Sequence, residues 1–244
     1  MAIDDWYKEI IRYTRSFEFV NTLLGGQKDK MKRFIYYLTM LRSKKMIIKE
    51  YGKDFWYSFK KDSDKLFKVV LSDTPDIGKS VFSFNYEYAP SYVVWYRTMR
   101  EQGLSEKQAD KLMWKMNEKM LLTVPKPLLG MVGKTYLNSF RKKAKKHMER
   151  QKNGLHPFDW EIQYQNIDKN SFEINITKCG FIAFAEKFGA EGMLPGICNI
   201  DYMISYYMGN GFKRTKTLGY GDSCCDCHYE LTGKCPIRPT GNLK

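Results

Sequence analysis

The chain has 244 residues, 43% hydrophobic and 15% aromatic, with a formal charge of +14. That length and apolar content allow a packed core and exclude a disordered chain, and no stretch reaches the roughly 20 uncharged apolar residues of a membrane span. Met1 to Lys8 carry acids and lack an apolar run, which argues against a secretory signal and predicts a soluble cytoplasmic protein without a membrane partner.

From Asp5 to about Met46, apolar residues recur at helical spacing: Ile10, Ile11, Tyr13, Phe17 and Val20, then Met31, Phe34, Ile35, Leu38 and Leu41. With Gly25-Gly26 as a break, the pattern predicts two helices. Lys49 to Leu71 mixes helical and strand periods and carries no assignment. Pro90 opens a helical hairpin in which Gly103 ends one helix and Ser105 starts the next, with Gln108 at capping-box spacing. Its stripe of Trp95, Met99, Leu112, Met113, Met116 and Met120 reads as core. Pro125 and Pro127 stop the second helix. Leu128 to Gln151 predicts another, and its basic run Arg141 to Lys146 reads as a solvated face suited to a helix C-terminus.

Lys152-Asn153-Gly154 marks a boundary between a helical region, residues 1–151, and a cysteine-rich α+β region, residues 152–244, expected to pack together as one unit. Beyond it, Trp160, Ile162 and Tyr164 alternate with polar residues, Asn166 to Asn170 supplies a turn, and Phe172, Ile174 and Ile176 alternate again, a two-stranded antiparallel unit. Gly180 to Gly189 reads as a helix ended by glycine. A second helix follows Pro195-Gly196 and ends at Gly209 to Gly211. Phe212 to Leu218 and Asp226 to Leu231 read as two strands flanking the glycine-rich Gly219 to Ser223. The expected fold class is α+β: a helical N-terminal part followed by an antiparallel four-stranded sheet (β-β-α-α-β-β) with helices on one side. No βαβ alternation with a glycine-rich phosphate loop appears, which disfavours nucleotide binding of that kind.

The positive charge would suit nucleic acid, yet the lysines are scattered and no RNP-type, zinc-finger or helix-turn-helix signature accompanies them. Nucleic acid is therefore disfavoured as a partner. A positive field equally draws in a small carboxylate. All six cysteines (179, 198, 224, 225, 227 and 235) fall in the last 66 residues, which in a reducing compartment reads as thiol chemistry or metal binding before disulfides.

In the run CNID, a Cys198 that starts a helix places Asp201 one turn on along the same face, and a helix N-terminus favours the thiolate. Cys198 is thus the first candidate for a nucleophile, a buried structural cysteine being the bland alternative. Cys225, Asp226 and His228 open the last strand, where alternation puts Asp226 and His228 on one face and Cys225 with Cys227 on the other. Asp226 could orient an imidazole or grip a cationic amidine, and His228 could act as a general base or be a satisfied strand histidine. Arg214 and Thr217, expected on the preceding strand, are natural ligands for a carboxylate; a surface ion pair is the other reading of Arg214. Zinc competes for the same thiols: Cys225 and Cys227, with Cys224 and Cys235 nearby, could be completed by Cys179 or Cys198, although two C-x-x-C pairs are not present. No other cofactor is indicated.

The order of Cys179 at a strand end, Cys198-x-x-Asp201, then Arg214-x-x-Thr217-Leu218-x-x-Gly221 closing on Cys225-Asp226, resembles the L-2-amino-thiazoline-4-carboxylic acid hydrolase family over roughly residues 85 to 231. The Gly103-Leu104-Ser105 turn is similar too. Where that family has an aromatic after Cys-Asp, this chain has Cys227. The resemblance implies a hydrolase that opens a cyclic isothiourea bearing a carboxylate. It further implies Cys198 as nucleophile or water activator, Cys225 beside it, Asp201 and Asp226 holding the amidinium, Arg214 gripping the carboxylate with Thr217 and Cys179 in the substrate site, and His228 moving the proton.

Overall fold

The computed structural model describes residues 29 to 238, so the first predicted helix, around Ile10 to Val20, and the Gly25-Gly26 break lie outside the described residues. Helix α1 spans Lys30–Tyr51 and α2 spans Lys53–Ser72, joined at Gly52, whose φ of 91° only glycine adopts at little cost. The stretch left unassigned is therefore a helix. Its buried residues Trp56, Phe59, Ser63, Phe67 and Val70 follow a helical period that the aromatic and β-branched composition disguised. After a short turn, α3 (Ser83–Tyr86), the hairpin is built from α4 (Ala89–Glu101) and α5 (Glu106–Leu121), and the capping box between Ser105 and Gln108 is made in both directions. Helix α6 runs Lys126–Gln151 with Pro127 in its first turn, where a missing N–H costs nothing.

Four strands form one antiparallel sheet in the order β1-β2-β4-β3: β1 Glu161–Asn166, β2 Ser171–Lys178, β3 Gly211–Lys213 and β4 Cys225–Glu230. Between β2 and β3 lie α7 (Gly180–Phe188), α8 (Leu194–Cys198) and α9 (Ile200–Met208), so the β-β-α-α-β-β succession of the α+β expectation is present with its second helix divided at Asn199. Strand β3 is shorter than the predicted Phe212 to Leu218. Past Lys213 the chain leaves the sheet, and Leu218 to Tyr220 make a single 3-10 turn.

Pairing of Phe172 with Tyr229, Ile174 with Cys227 and Ile176 with Cys225 puts these side chains on the buried face, with Phe212 opposite Tyr229 from β3. Phe140 of α6 packs on this face, its ring 5.5 Å from that of Tyr229, and Phe172 stacks on Tyr229 at 5.1 Å. One buried apolar cluster runs from Tyr36 through Trp95 to Phe212 and Cys235. Helices α6 and α9 approach so closely at Gly133 that a Cβ there would stand 2.0 Å from the carbonyl oxygen of Met208. Among the described residues, no helix is long and apolar enough to cross a membrane.

A buried polar knot fastens α6 to the start of the sheet. Asp159, 1% exposed, accepts from Arg150 at 2.7 Å, from the Ser80 hydroxyl at 2.6 Å and from the Trp160 N–H at 2.8 Å. His147 donates from Nε2 to the Trp160 carbonyl at 2.7 Å, while its Nδ1 accepts from Arg150 and from the Val81 N–H, an assignment that requires the neutral ring. Truncating Arg150 to alanine should cost about 2 kcal/mol in denaturant unfolding, less than the 3–5 typical of a broken buried pair because Ser80 and Trp160 still serve Asp159. Burial, opposed by the Trp160 carbonyl, lowers the pKa of His147 below its ordinary 6.5. The unfolded chain therefore binds this proton first, and stability should fall as the pH drops from about 6.5 towards the lowered value, a slope that His147→Gln would remove.

Candidate active site

Cys179 follows β2 and caps α7 through its backbone carbonyl, which accepts from the Ile182 N–H at 3.1 Å. The next residue must be glycine, because a Cβ at Gly180 would lie 2.2 Å from the Phe158 carbonyl oxygen. Cys198 is the last residue of α8, and the chain bends at Asn199 before α9 carries Asp201 in its first turn. The bend is held by the Asn199 side chain, which donates to the Pro195 carbonyl at 3.1 Å and to the Tyr220 hydroxyl at 2.6 Å.

Arg214 enters this corner just beyond β3. Its side chain is 4% exposed; Nη1 pairs with Asp201 Oδ2 at 3.0 Å, and Nη2 donates a short hydrogen bond to the Cys198 carbonyl. One planar fork thus satisfies the open carbonyl end of α8 and neutralises the carboxylate of α9. The loop that delivers Arg214 is pinned from β4. Asp226 accepts from the Thr215 N–H at 2.8 Å, the Lys216 N–H at 2.6 Å and, in a short bond, the Thr215 hydroxyl. Buried Thr217 donates its N–H to Asp222 at 2.7 Å, and the Leu218 N–H points at Cys225 Sγ at 3.2 Å. Gly219 then lies over the thiol of Cys198, where a Cβ would stand 2.6 Å from Sγ. Residues 214–219 form a cover over Cys198.

The expectation of a helix N-terminus at Cys198 is overturned: the residue ends α8 and starts no helix, so no ring of free N–H groups faces its sulfur. Burial pushes its pKa well above the ordinary thiol value; neighbouring Cys179, Cys225 and Asp201 add to the rise and Arg214 opposes it. Burial likewise raises the Cys225 thiol to about 11 and Cys179 above its usual value. Asp201 is raised by burial despite Arg214, yet 35% of its side-chain surface is open because it faces a small cavity. At rest, then, protonated thiols surround a single guanidinium–carboxylate pair.

Cys179, Cys198, Asp201, Arg214 and Cys225 share this corner. Asp226 and His228 do not. Strand alternation turns them to the half-open face of the sheet, where His228 Nδ1 lies 3.1 Å from Glu173 and Nε2 3.8 Å from Glu230. Arg214 and Thr217 are on the loop after β3, where the sequence placed a strand, because Asp226 captures the intervening N–H groups that a ladder would need. Cys227 is buried on the helix-facing side, Cys224 is half-buried, and Cys235 points at the Tyr202 carbonyl. Among the described residues, no three His, Cys, Asp or Glu side chains are arranged to hold a metal, the candidates Cys179, Cys198, Cys225 and Cys227 included.

Removing the Asp226 carboxylate by alanine substitution should loosen the cover and cost about 1–2 kcal/mol. Burial raises its pKa, but the bonds from Thr215 and Lys216 outweigh it and hold the carboxyl below its ordinary 3.8. This contribution is present above pH 3.8 and lost below it, so the variant and the parent should converge in stability in strong acid.

Sequence reasoning missed the cavity of about 20 Å³ beside Asp201, lined by Asn85, Tyr136, Phe140, Ser205, Asn210 and Tyr229 among others. Tyr136 and Phe140 show only as a helical i,i+4 pair, and nothing in sequence sets them beside residues 201 to 229.

The family model for L-2-amino-thiazoline-4-carboxylic acid hydrolase matches residues 84–229. No curated protein matches the chain. Among solved structures, an Fe(II) unliganded H-NOX protein from K. algicida shares 11% identity, with 85% of this chain and 97% of that chain covered at a TM-score of 0.33. An H-NOX domain from Shewanella oneidensis in the Fe(II)CO state shares 11%, with 80% and 97% covered at a TM-score of 0.32. Likeness at that level carries no argument about this chain.

Proposed function

Because the chain belongs to the L-2-amino-thiazoline-4-carboxylic acid hydrolase family, we propose that it hydrolyses a small cyclic isothiourea or amidine bearing a carboxylate, at the corner formed by Cys198, Asp201 and Arg214. The observation that carries this reading is the buried Arg214 fork, held between a carboxylate and the carbonyl of the residue whose thiol lies beside it. A substrate carboxylate would replace Asp201 on Arg214, one anion for another, with Thr217 and Cys179 flanking it. Asp201 would then be free to receive the amidinium and the proton of Cys198.

In this scheme Cys198 Sγ bonds to C2 and one ring bond at C2 breaks. The proton given up by Cys198, passed through Asp201, ends on the departing ring atom. Water then adds to C2, Cys198 leaves as the thiol, the carbon becomes a carbamoyl carbonyl, and the extra proton of the amidinium returns to solvent. Cys225 stands beside this reaction. Asp226 positions the segment carrying Arg214, and His228, on the other face of the sheet, takes no part. Gly219 lies against the Cys198 thiol, so residues 215–219 would lift to admit a five-membered ring there.

Incubating the protein with 2-amino-thiazoline-4-carboxylate should release carbamoyl-cysteine, followed by mass and by the appearance of its new functional groups. A protein that turns over neither this compound nor other cyclic isothiourea carboxylates would end the proposal.

A further inference from the structure

The cavity beside Asp201 and the thiol corner meet at one residue. Asp201 belongs to both, whereas neither Cys198 nor any residue from 214 to 219 lines the cavity. A ring admitted beneath the lifted cover therefore does not enter it. Only Asp201 Oδ2 is engaged by Arg214, so Oδ1 remains to accept a hydrogen bond. One helical turn further, on the same face of α9, Ser205 lines the cavity and is 5% exposed. Among the described residues its hydroxyl has no partner, and it is not sealed from the space. Tyr136, Tyr229, Asn85 and Asn210 add neutral polar groups, and no basic residue lines the cavity. Donors around one anionic acceptor suit a molecule that both donates and accepts. The volume of about 20 Å³ is close to the ~10–15 Å³ that one water needs.

We propose that this cavity seats the water that hydrolyses the Cys198-bound intermediate, with Asp201 as its base and Ser205 as the residue that positions it. This rests on the hydrolase reading and completes its second step. Once the proton of Cys198 has passed to the departing ring atom, Asp201 is again a carboxylate. The water donates to Oδ1 and accepts from the Ser205 hydroxyl, which fixes one lone pair and leaves the other to attack C2. As the O–C2 bond forms, one water proton moves to Asp201. That proton passes to Sγ as the C2–Sγ bond breaks, and the remaining hydroxyl proton goes to solvent, leaving the carbamoyl carbonyl. Burial, which raises the Asp201 pKa against the pull of Arg214, suits the carboxylate to this task. A seat of this size admits water and excludes larger nucleophiles, so the intermediate is hydrolysed and not passed to an alcohol.

Single-turnover rapid quench with 2-amino-thiazoline-4-carboxylate, read by intact-protein mass, follows formation and decay of the adduct separately. In Ser205→Ala the adduct should form at the parent's rate and decay roughly 10- to 100-fold more slowly, so that kcat and KM fall together and kcat/KM is kept. A merely structural role would lower kcat/KM. In the parent, molar methanol should give no O-methylisourea product, because its extra carbon does not fit the seat. That arm decides even where Ser205→Ala does not fold. Unchanged decay in Ser205→Ala, equal slowing of both phases, or capture of the adduct by methanol in proportion to its concentration overturns the seat and leaves hydrolysis standing. A parent that turns the compound over without an adduct removes the covalent step and this proposal with it. A parent without turnover ends the hydrolase reading as well.

Discussion

Cys198→Ala should fold and lose at least about a thousandfold in kcat, the scale on which removal of a covalent nucleophile is felt. The structural cost is small: the Sγ fills the space beneath Gly219, and deleting one atom there should cost about 1 kcal/mol. Comparable changes at Cys225 or Cys179, whose sulfurs face the same corner, should cost far less in turnover, because Cys198 lies beneath Gly219 and carries the carbonyl that Arg214 holds, whereas the Cys225 sulfur is engaged by the Leu218 N–H. Rapid acid quench followed by intact-protein mass measurement distinguishes the mechanisms. The parent should carry a transient adduct and Cys198→Ala none. A Cys198→Ala protein with the parent's rate would show that water attacks unaided.

Arg214→Ala should be the most damaging single change to the fold, at about 3–5 kcal/mol, because it strands the Asp201 carboxylate without its cation and opens the carbonyl end of α8. Loss of Arg214 also removes both influences that hold the Asp201 pKa down, leaving burial to raise it further. A carboxyl with a raised folded-state pKa contributes stability in acid and loses it as the pH rises through that value. The deficit of Arg214→Ala should therefore be larger at neutral pH than in mild acid. Arg214→Lys keeps the charge but cannot reach both partners at once, and should be intermediate. Pairing Arg214→Met with Asp201→Asn should recover much of the stability without restoring turnover, since it removes the stranded charge. A double variant as unstable as Arg214→Ala would mean that the packing of the guanidinium over Tyr202 and Phe212, at 5.8 and 5.6 Å, matters more than the ion pair.

The helical hairpin was legible to the capping box because Ser105 and Gln108 act within one turn, and the strands Trp160 to Ile176 were legible because alternation records a one-sided sheet directly. The same alternation correctly separates Cys225 and Cys227 from Asp226 and His228. Its consequence, that His228 stands apart from Cys198, needs the side of the sheet on which the helices pack. Local pattern misled where side chains compete with the backbone. Asp226 draws the Thr215 and Lys216 N–H groups out of a ladder, and Asn199 bends the chain so that Cys198 closes one helix instead of opening another.

By itself the sequence determined the α+β class, the order of the elements and the family motif, since each is written in neighbouring residues through period, caps and turns. The tertiary structure alone decided that Arg214 reaches both Asp201 and the Cys198 carbonyl, that Gly219 lies over the thiol, and that Tyr136 from a distant helix meets Asn210 at one cavity. Those contacts join residues separated by 13 to 74 positions along the chain, and such partners are chosen by the packing of whole faces, which no local pattern encodes.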